Sequence, residues 1–198
     1  MGAQSTVREH DLELARRAAA GDRDAQRELF LALRASVHHA LFRILGSNRD
    51  LEDLVQDAFL EIFRGLHSFR GTSTLSRWCQ TIATRIAYLA ISRRKPASVE
   101  IESVEDSLPN AVDPRALVEV REAARRLYAA LDRIDAKQRI AFAYAVIDGR
   151  PLAEVAQLTE ASVVAVKTRV WRARKELFRR AANDTVLSSY LVELGGEP

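Results

Sequence analysis

Apolar residues recur every three or four positions along most of this chain, and this spacing constrains the fold more than any other feature of the sequence. The clearest stripe runs through Leu51, Leu54, Val55, Ala58, Phe59 and Ile62. Only 8 Gly and 5 Pro occur among the 198 residues, whereas the good helix formers Ala, Leu, Arg and Glu are abundant. No segment shows the alternation of apolar and polar residues that is typical of a strand. We therefore predict an all-α protein.

Prolines, glycines and acidic residues divide this helical pattern into two small helical domains. Four helices are predicted between Asp11 and Ser92, and four more from residue 115 onward. Residues 96–114 have no helical period, contain three prolines and carry a surplus of acid, so we predict a flexible acidic linker there. The predicted organisation is one domain over residues 11–95, the linker over 96–114, a second domain over 115–182 and a C-terminal tail over 183–198.

The net charge of +3 hides a strongly uneven distribution of charge. The stretch from Ile62 to Val99 contains no Asp or Glu, and the stretch from Val163 to Ala182 contains seven basic residues and one Glu. The stretch between them, from Glu100 to Glu119, contains six acidic residues and one Arg. Two basic blocks separated by an acidic segment indicate two contacts with a polyanion. The alternative is a set of solvated helix faces.

Several classes of protein lack support in the sequence. A single cysteine, Cys79, excludes an internal disulfide, and no apolar run approaches the ~18 residues that span a bilayer. The N-terminus lacks the apolar core of a secretory signal, so we expect a cytoplasmic protein. His38 and His39 lie on a predicted helix without a carboxylate or cysteine partner nearby, and the chain has no glycine-rich phosphate loop. We expect no metal, no cofactor and no catalytic residues.

The segment from Pro151 to Arg180 has the pattern of a helix-turn-helix. A short amphipathic helix over 152–158 is followed by a turn and by a longer basic helix from about Ser162, with Val163, Val166, Val170, Ala173 and Leu177 on its apolar side. A basic helix of this kind fits the major groove of DNA. The alternative is a charged surface helix at the end of a bundle. The side chains predicted to point outward are Lys167, Thr168, Trp171, Arg172 and Lys175.

Three stretches of this helix-turn-helix resemble region 4 of the extracytoplasmic-function (ECF) group of sigma factors, in the sigma-70 family. They are Leu152-Ala-Glu-Val-Ala156, Val166-Lys-Thr-Arg169 and Arg172-Ala-Arg-Lys-Glu-Leu177. Glu160 stands where the family usually has glycine in the turn, and Ser162 stands where it often has proline. The resemblance implies that the long helix reads the −35 promoter element, with Val163, Val164, Lys167, Thr168, Arg169 and Arg172 as the candidate contacts, to which we add Trp171 and Lys175.

The segment Asp50-Leu-Glu-Asp-Leu-Val-Gln-Asp-Ala-Phe59 resembles region 2.2 of the same family. The resemblance implies that its acidic edge contacts the clamp helices of the polymerase β′ subunit. An ordinary solvated acidic face is the alternative. The candidate polymerase contacts are Asp50, Glu52, Asp53, Gln56, Asp57 and Phe59.

The next segment resembles regions 2.3 and 2.4, which melt and read the −10 element in this family. The resemblance lies in Phe69-Arg-Gly71, Arg77-Trp78, Ile82-Ala83 and Arg93-Arg94. A cationic surface and small polar loop groups suit an unstacked base. Trp78 could stack on such a base, although a buried tryptophan that anchors the helix is the favoured reading, and Arg85 stands where related sequences often have asparagine. The candidate −10 contacts are Arg64, His67, Ser68, Arg70, Gly71, Thr72, Ser73, Arg77, Trp78, Thr81, Arg85, Arg93 and Arg94.

Together these four motifs imply an alternative sigma factor with a region 2 helical bundle and a region 4 helix-turn-helix. The resemblance implies that it binds core RNA polymerase, at the β′ clamp helices and the β flap, and promoter DNA. It also implies a cognate anti-sigma factor, which in this family is often membrane-tethered. A free-standing helix-turn-helix regulator would leave residues 50–99 without a role. An enzyme finds little support, and a sigma-like regulator that has lost promoter melting is suggested only by Arg85.

Overall fold

Every regular element in the part of the chain that the structure describes is a helix, as the sequence predicts. The structure is a computed structural model, and it describes residues 2–46, 50–93 and 114–195. Its α-helices are α1 (Gly2–Ala19), α2 (Arg23–Leu45), α3 (Leu51–Gly65), α4 (Leu75–Arg93), α5 (Pro114–Leu131), α6 (Ala136–Phe142), α7 (Leu152–Leu158), α8 (Val163–Ala181) and α9 (Thr185–Glu193). A 3-10 turn over Leu66–Ser68 follows α3, and a π-helical turn over Ala143–Ile147 follows α6.

Local signals place most helix ends to within a residue or two. Gly46 directly follows α2, Pro151 directly precedes α7, and α4 starts at the predicted Leu75. Asp135 caps α6, because its carboxylate accepts hydrogen bonds from the backbone N–H groups of Lys137 and Gln138. The prediction is wrong at the start of α1, which begins at Gly2 rather than at Asp11, and Asp50 makes no side-chain capping hydrogen bond to α3.

The chain divides into two compact units. Among the described residues, the first, unit 1, comprises residues 2–42 and 50–87, and the second, unit 2, comprises residues 43–46, 88–93 and 114–195. The core of unit 1 is built from the apolar stripes of α1 to α4 and includes Leu29, Leu41, Ile62 and Leu75, none of which is more than 2% exposed. The predicted acidic linker lies almost wholly outside the described residues, as do Arg94 and most of the turn before α3.

Unit 2 has a helix that the sequence analysis did not predict. The predicted C-terminal tail, residues 183–198, contains α9, which packs against α5 and α8. Leu187 and Leu191 of α9 are 4% and 2% exposed and join the core formed by Leu127, Phe142 and Leu177. Asp184 caps the start of this helix, because its carboxylate accepts from the Leu187 N–H, and it also pairs with Arg126 at 2.8 Å. The long helix α8 is therefore not the last helix of the unit, and α9 packs against its buried side.

No helix among residues 2–46, 50–93 and 114–195 is long and apolar enough to cross a membrane.

Candidate nucleic-acid and polymerase interfaces

The turn before α8 forms in spite of its unusual residue. Glu160, where a glycine was expected, has a left-handed backbone with φ of +50°. That conformation costs a residue with a Cβ about 1–2 kcal/mol. Ala161 N–H still donates to the Ala156 carbonyl at 2.9 Å, and the Ser162 hydroxyl caps α8 by accepting from the Ala165 N–H at 3.1 Å. The two departures from the family pattern therefore leave a closed turn and a capped helix.

The two faces of α8 separate as the helical pattern predicts. Val166, Ala173 and Leu177 are fully buried, and Val170 is partly buried. Val163 is the exception, because it is 46% exposed at the first turn and does not join the apolar stripe. Among the predicted −35 contacts, Arg169 is partly buried, and the exposed ones are Val163, Val164, Lys167, Thr168, Trp171, Arg172 and Lys175.

One aromatic ring stands out on this exposed face. Trp171 is 59% exposed, which is unusual for so large an apolar side chain, and the Lys175 Nζ lies 5.4 Å from its ring centroid. The Thr168 hydroxyl donates to the Val164 carbonyl at 3.0 Å, so its oxygen lone pairs point outward as acceptors. The exposed face of α8 thus offers cations, a hydroxyl and an aromatic surface side by side.

A groove of about 470 Å³ lies between this face of α8 and the turn that joins α5 to α6. Its Trp171, Arg172 and Lys175 were predicted −35 contacts, whereas its Arg133, Gln138 and Arg179 were not. The hydrogen bond and charge of Arg179, together with Arg180, lower the pKa of the Glu176 carboxyl to about 2. Glu176 is therefore ionised and paired at neutral pH. No local pattern marks Arg133, because only the packing of α6 on α8 brings it to this surface.

In unit 1, the polar side of α3 is exposed along the length of the helix. Asp50, Glu52, Asp53, Gln56 and Asp57 are all exposed, as predicted for a docking surface. Glu52 is also held by α2, since its carboxylate lies 3.0 Å from the Arg34 guanidinium and 3.6 Å from the His38 Nε2. The expectation that His38 has no carboxylate near it is therefore wrong, because α3 supplies one across the helix pair.

Phe59 does not share this exposed surface. It is 4% exposed, and its ring centroid lies 4.6 Å from that of Phe30 on α2. Phe59 therefore packs the core of unit 1 in this structure, and little of its side chain is accessible to a partner. The exposed apolar residue on the polar side of α3 is the next one, Leu60, at 53% exposure.

The predicted −10 loop, between α3 and α4, is held from beneath by α1. The backbone of Gly71 is left-handed, with φ of +67°, and a Cβ there would lie only 2.8 Å from the Leu12 side chain. The Asp11 carboxylate accepts from the Leu75 N–H at 2.8 Å, and the Thr74 hydroxyl accepts from the Arg77 N–H at 3.3 Å. Asp11, Leu12 and Thr74 position the loop, and the sequence analysis named none of them for that role.

The contacts of Trp78 favour the interpretation that it anchors the helix over the interpretation that it stacks on a DNA base. Its ring centroid lies 5.6 Å from that of Phe69, and its ring edge lies 3.3 Å from the position of a Cβ on Gly65. The side chain is half-buried, and it packs the base of the loop on α4. Phe69 is itself 9% exposed.

The remaining −10 candidates surround this loop. Gly71, Ser73, Arg77 and Thr81 are partly buried, and the Thr81 hydroxyl donates to the Arg77 carbonyl at 3.1 Å. Arg64 pairs with Glu61 at 2.7 Å, although both side chains are largely exposed. The exposed members are Arg64, His67, Ser68, Arg70, Thr72, Arg85 and Arg93.

Two family descriptions match this chain, one for each basic block. Residues 29–96 match "Sigma-70 region 2" and residues 124–177 match "Sigma-70, region 4". The matched stretches cover α3, the loop between α3 and α4, α7 and most of α8. The helix α9 lies beyond the second match.

Curated relatives agree with these matches. The "ECF RNA polymerase sigma-E factor" of Escherichia coli K12 is 28% identical over 176 residues, which is 84% of this chain and 92% of the relative. The "ECF RNA polymerase sigma factor SigW" of Bacillus subtilis is 25% identical over 166 residues, which is 79% of this chain and 89% of the relative.

Solved structures share the fold. CnrH, in complex with the cytosolic domain of CnrY, superposes with a TM-score of 0.59 at 24% identity, over 88% of this chain and 99% of that one. RpoE of Bartonella quintana, in complex with the anti-sigma factor NepR, superposes with a TM-score of 0.52 at 20% identity, over 80% and 97%.

With both conserved regions matched in their family order, the chain belongs to the sigma-70 family of transcription initiation factors. Within that family it is a sigma factor of the ECF group, an alternative sigma factor that binds core RNA polymerase and promoter DNA and directs transcription initiation.

Proposed function

We propose that this sigma factor reads the −35 element with α8, in duplex form. The observation that carries the proposal is the separation of α8 into a buried stripe and an exposed face of Lys167, Thr168, Trp171, Arg172 and Lys175. A capped helix with this face fits the major groove, where Arg and Lys bond phosphates and base edges. The proposed contacts are these five with Val163, Val164 and Arg169, all within the proposed region 4 domain over residues 115–182.

The −10 element is melted and read by unit 1, within the proposed region 2 domain over residues 11–95. The loop over 66–74 presents the exposed side chains of His67, Ser68, Arg70 and Thr72. The side chains of Trp78, Phe69 and Leu12 pack beneath this loop and support it. Such a loop offers an unstacked base polar partners and a nearby cation without having to reorganise. Arg77, Arg85 and Arg93 extend the cationic surface along α4, and Thr81 adds a hydroxyl beside it.

The polar side of α3 docks on the β′ clamp helices, and unit 2 meets the β flap. Asp53 and Asp57 are the favoured anchors because both are exposed, whereas Glu52 is shared with Arg34. The factor contributes binding only, and the chemistry of transcription belongs to the polymerase. It acts in the cytoplasm, where the polymerase is.

A cognate anti-sigma factor restrains this protein by covering its polymerase-binding surface. One structural neighbour, RpoE, was solved in complex with the anti-sigma factor NepR, which supports the proposal. A partner that masks the α3 surface would present basic residues to it.

Co-elution with sigma-free core RNA polymerase on a sizing column tests the docking surface. The wild-type chain should co-elute, and Asp53→Arg should weaken that association at least tenfold, because it reverses an exposed anchor. Glu119→Arg is the matched control, since Glu119 is exposed on α5 and its replacement changes the charge by the same amount. Equal association of both variants would contradict the α3 docking surface.

A promoter library with randomised −10 and −35 elements, transcribed by the reconstituted polymerase, tests the division of labour. Arg172→Ala should relax the preference at −35, whereas Arg93→Ala should weaken all promoters about equally. The same loss of preference in both variants would refute that division. Duplex binding without any association with the polymerase would favour a free-standing regulator, and association without opening at −10 would favour a regulator that has lost melting.

A further inference from the structure

The loop over residues 66–74, in unit 1, is shaped at its start by its own backbone. The Phe69 N–H donates to the Leu66 carbonyl at 3.0 Å, and the Ser68 hydroxyl donates to the Gly65 carbonyl at 2.7 Å. Each of these bonds joins residues that are three positions apart, so they define the 3-10 turn and do not reach the middle or the end of the loop.

The helix α1 holds this loop at three points along its length. It packs against the 3-10 turn over Leu66–Ser68, where the loop begins. The Leu12 side chain lies beneath Gly71, in the middle of the loop. Where the loop ends, the Asp11 carboxylate accepts from the Leu75 N–H at 2.8 Å, a bond between residues that are 64 positions apart. The shape of the whole loop therefore depends on a helix that is remote from it in sequence.

Asp11 serves as a cap for α4 that is supplied by another helix. Leu75 is the first residue of α4, so its N–H is one of those that have no partner within the helix. A carboxylate at this position satisfies that N–H and is favoured by the helix dipole. Because α4 carries Arg77, Thr81 and Arg85, the same bond sets the position of the loop relative to these side chains.

The support is itself anchored in unit 1. Leu14, Ala15 and Ala18 of α1 are buried. At the end of the helix, the Asp22 carboxylate pairs with Arg17 of α1 at 2.8 Å and accepts from the Ala25 N–H of α2 at 3.1 Å. The helix α1 is thus fixed by its own contacts and can act as a rigid base for the loop.

We propose that α1 sets the conformation in which the loop captures an unpaired base, and that Asp11 is the positioning residue on which the −10 preference depends. The inference rests on the proposed role of this loop in melting and reading the −10 element. Groups that are held in place before the base arrives bind it without a further cost of ordering. Asp11 acts through the Leu75 N–H and contacts no DNA. The −10 preference should therefore change when α1 is altered, although every side chain proposed to contact the base is retained.

The test uses the polymerase complex assembled from the full chain and core polymerase, with the promoter library randomised at the −10 element. The preference is a ratio between sequences transcribed by one preparation, so it does not depend on how much of the chain is folded. Without its cap, the loop should occupy the held conformation about fivefold less, which is the usual effect of an N-cap on an equilibrium. Asp11→Ala should therefore lower the preference for the best −10 sequence about fivefold. The permanganate reactivity of unpaired −10 thymines should also fall, while co-elution with core polymerase stays unchanged.

Three further variants keep this result interpretable. Asp11→Asn retains an acceptor oxygen for the Leu75 N–H and should keep the preference. Glu13→Gln removes the same charge from an exposed position of α1 and should also keep it. Leu12→Ala removes the support beneath Gly71 but leaves the Asp11 bond, and it should relax the preference by itself. It carries the same test if Asp11→Ala fails to fold.

An unchanged preference in Asp11→Ala, with transcription from all −10 sequences reduced by one factor, would overturn the proposal while leaving the loop as the reader of the −10 element. Asp11 would then serve only the stability of unit 1. A loss of preference in Asp11→Asn or Glu13→Gln as large as that in Asp11→Ala would also overturn it, because charge and not the hydrogen bond would then decide. A wild-type complex without −10 preference or melting would instead contradict the proposed function itself.

Discussion

Replacing Gly71 by alanine should destabilise unit 1 through two separate effects. The left-handed backbone costs alanine about 1–2 kcal/mol. Its new Cβ would lie 2.8 Å from the Leu12 side chain, and overpacking of this kind costs about 1–3 kcal/mol. Alanine also restricts the unfolded chain more than glycine does, and this offsets roughly 0.4–1 kcal/mol of the destabilisation. We expect a net loss of about 2–3 kcal/mol in the free energy of unfolding.

Gly21→Ala is the matched control, because Gly21 is also left-handed, at φ of +89°, but a Cβ there meets nothing within 4 Å. Its expected cost is about 1 kcal/mol or less, from the backbone alone. Urea unfolding followed by tryptophan fluorescence measures both, in a Trp171→Phe background that leaves Trp78 as the reporter of unit 1.

A double-mutant cycle separates the clash from the backbone cost. In a Leu12→Ala background, Gly71→Ala should cost only about 1 kcal/mol, which is a coupling of about 1–2 kcal/mol between the two positions. If Gly71→Ala costs the same in both backgrounds, or no more than Gly21→Ala, then Leu12 of α1 does not support the loop.

Three further predictions concern the packing and charges of the two units. Leu191→Ala should lower the free energy of unfolding of unit 2 by about 2–4 kcal/mol, and Val192→Ala by under about 0.5 kcal/mol, since only Leu191 is buried; equal urea midpoints would show that α9 is not part of the core. Because its folded pKa of about 2 lies below its usual value, Glu176 stabilises unit 2 fully above about pH 4.5 and loses that contribution as the pH falls toward 2. The unfolding temperature of Glu176→Gln should therefore depend less steeply on pH over that interval than that of the wild type, and parallel curves would refute the assignment. Burial raises the pKa of the Cys79 thiol to about 12, so it should resist alkylation by iodoacetamide at pH 8 in the folded chain and react once urea unfolds it; rapid labelling of the native protein would contradict its burial.

Much of the fold was predictable because helices are specified by neighbours in sequence. The three-to-four-residue stripe, the capping Asp135 and Pro151 before α7 all act within a turn or two of the chain. The same locality made the two faces of α8 predictable from periodicity. Glu160 shows the limit of prediction from neighbouring residues. The sequence marked it as an unusual residue in the turn, but only the structure showed that its backbone is left-handed.

The helix α9 was not predicted from the sequence, and the reason is physical. The apolar pattern of α9 is short, and its helix is stabilised by burying Leu187 and Leu191 against α5 and α8 rather than by strong helix propensity. Phe59 was assigned to a partner because it stands at the end of an acidic motif, whereas Phe30, from another helix, covers it. His38 was judged isolated because Glu52 lies beside it only across a helix pair.

By itself, therefore, the sequence determined the all-helical class, the order of the four motifs and the outward face of α8, since each depends on residues close together in the chain. The tertiary structure alone decided that Asp11 and Leu12 hold the −10 loop, that α9 braces α8, and that Arg133 stands across a groove from Arg179. Those contacts join residues that are tens of positions apart, and pairing at that range depends on how the helices pack, which no local pattern records.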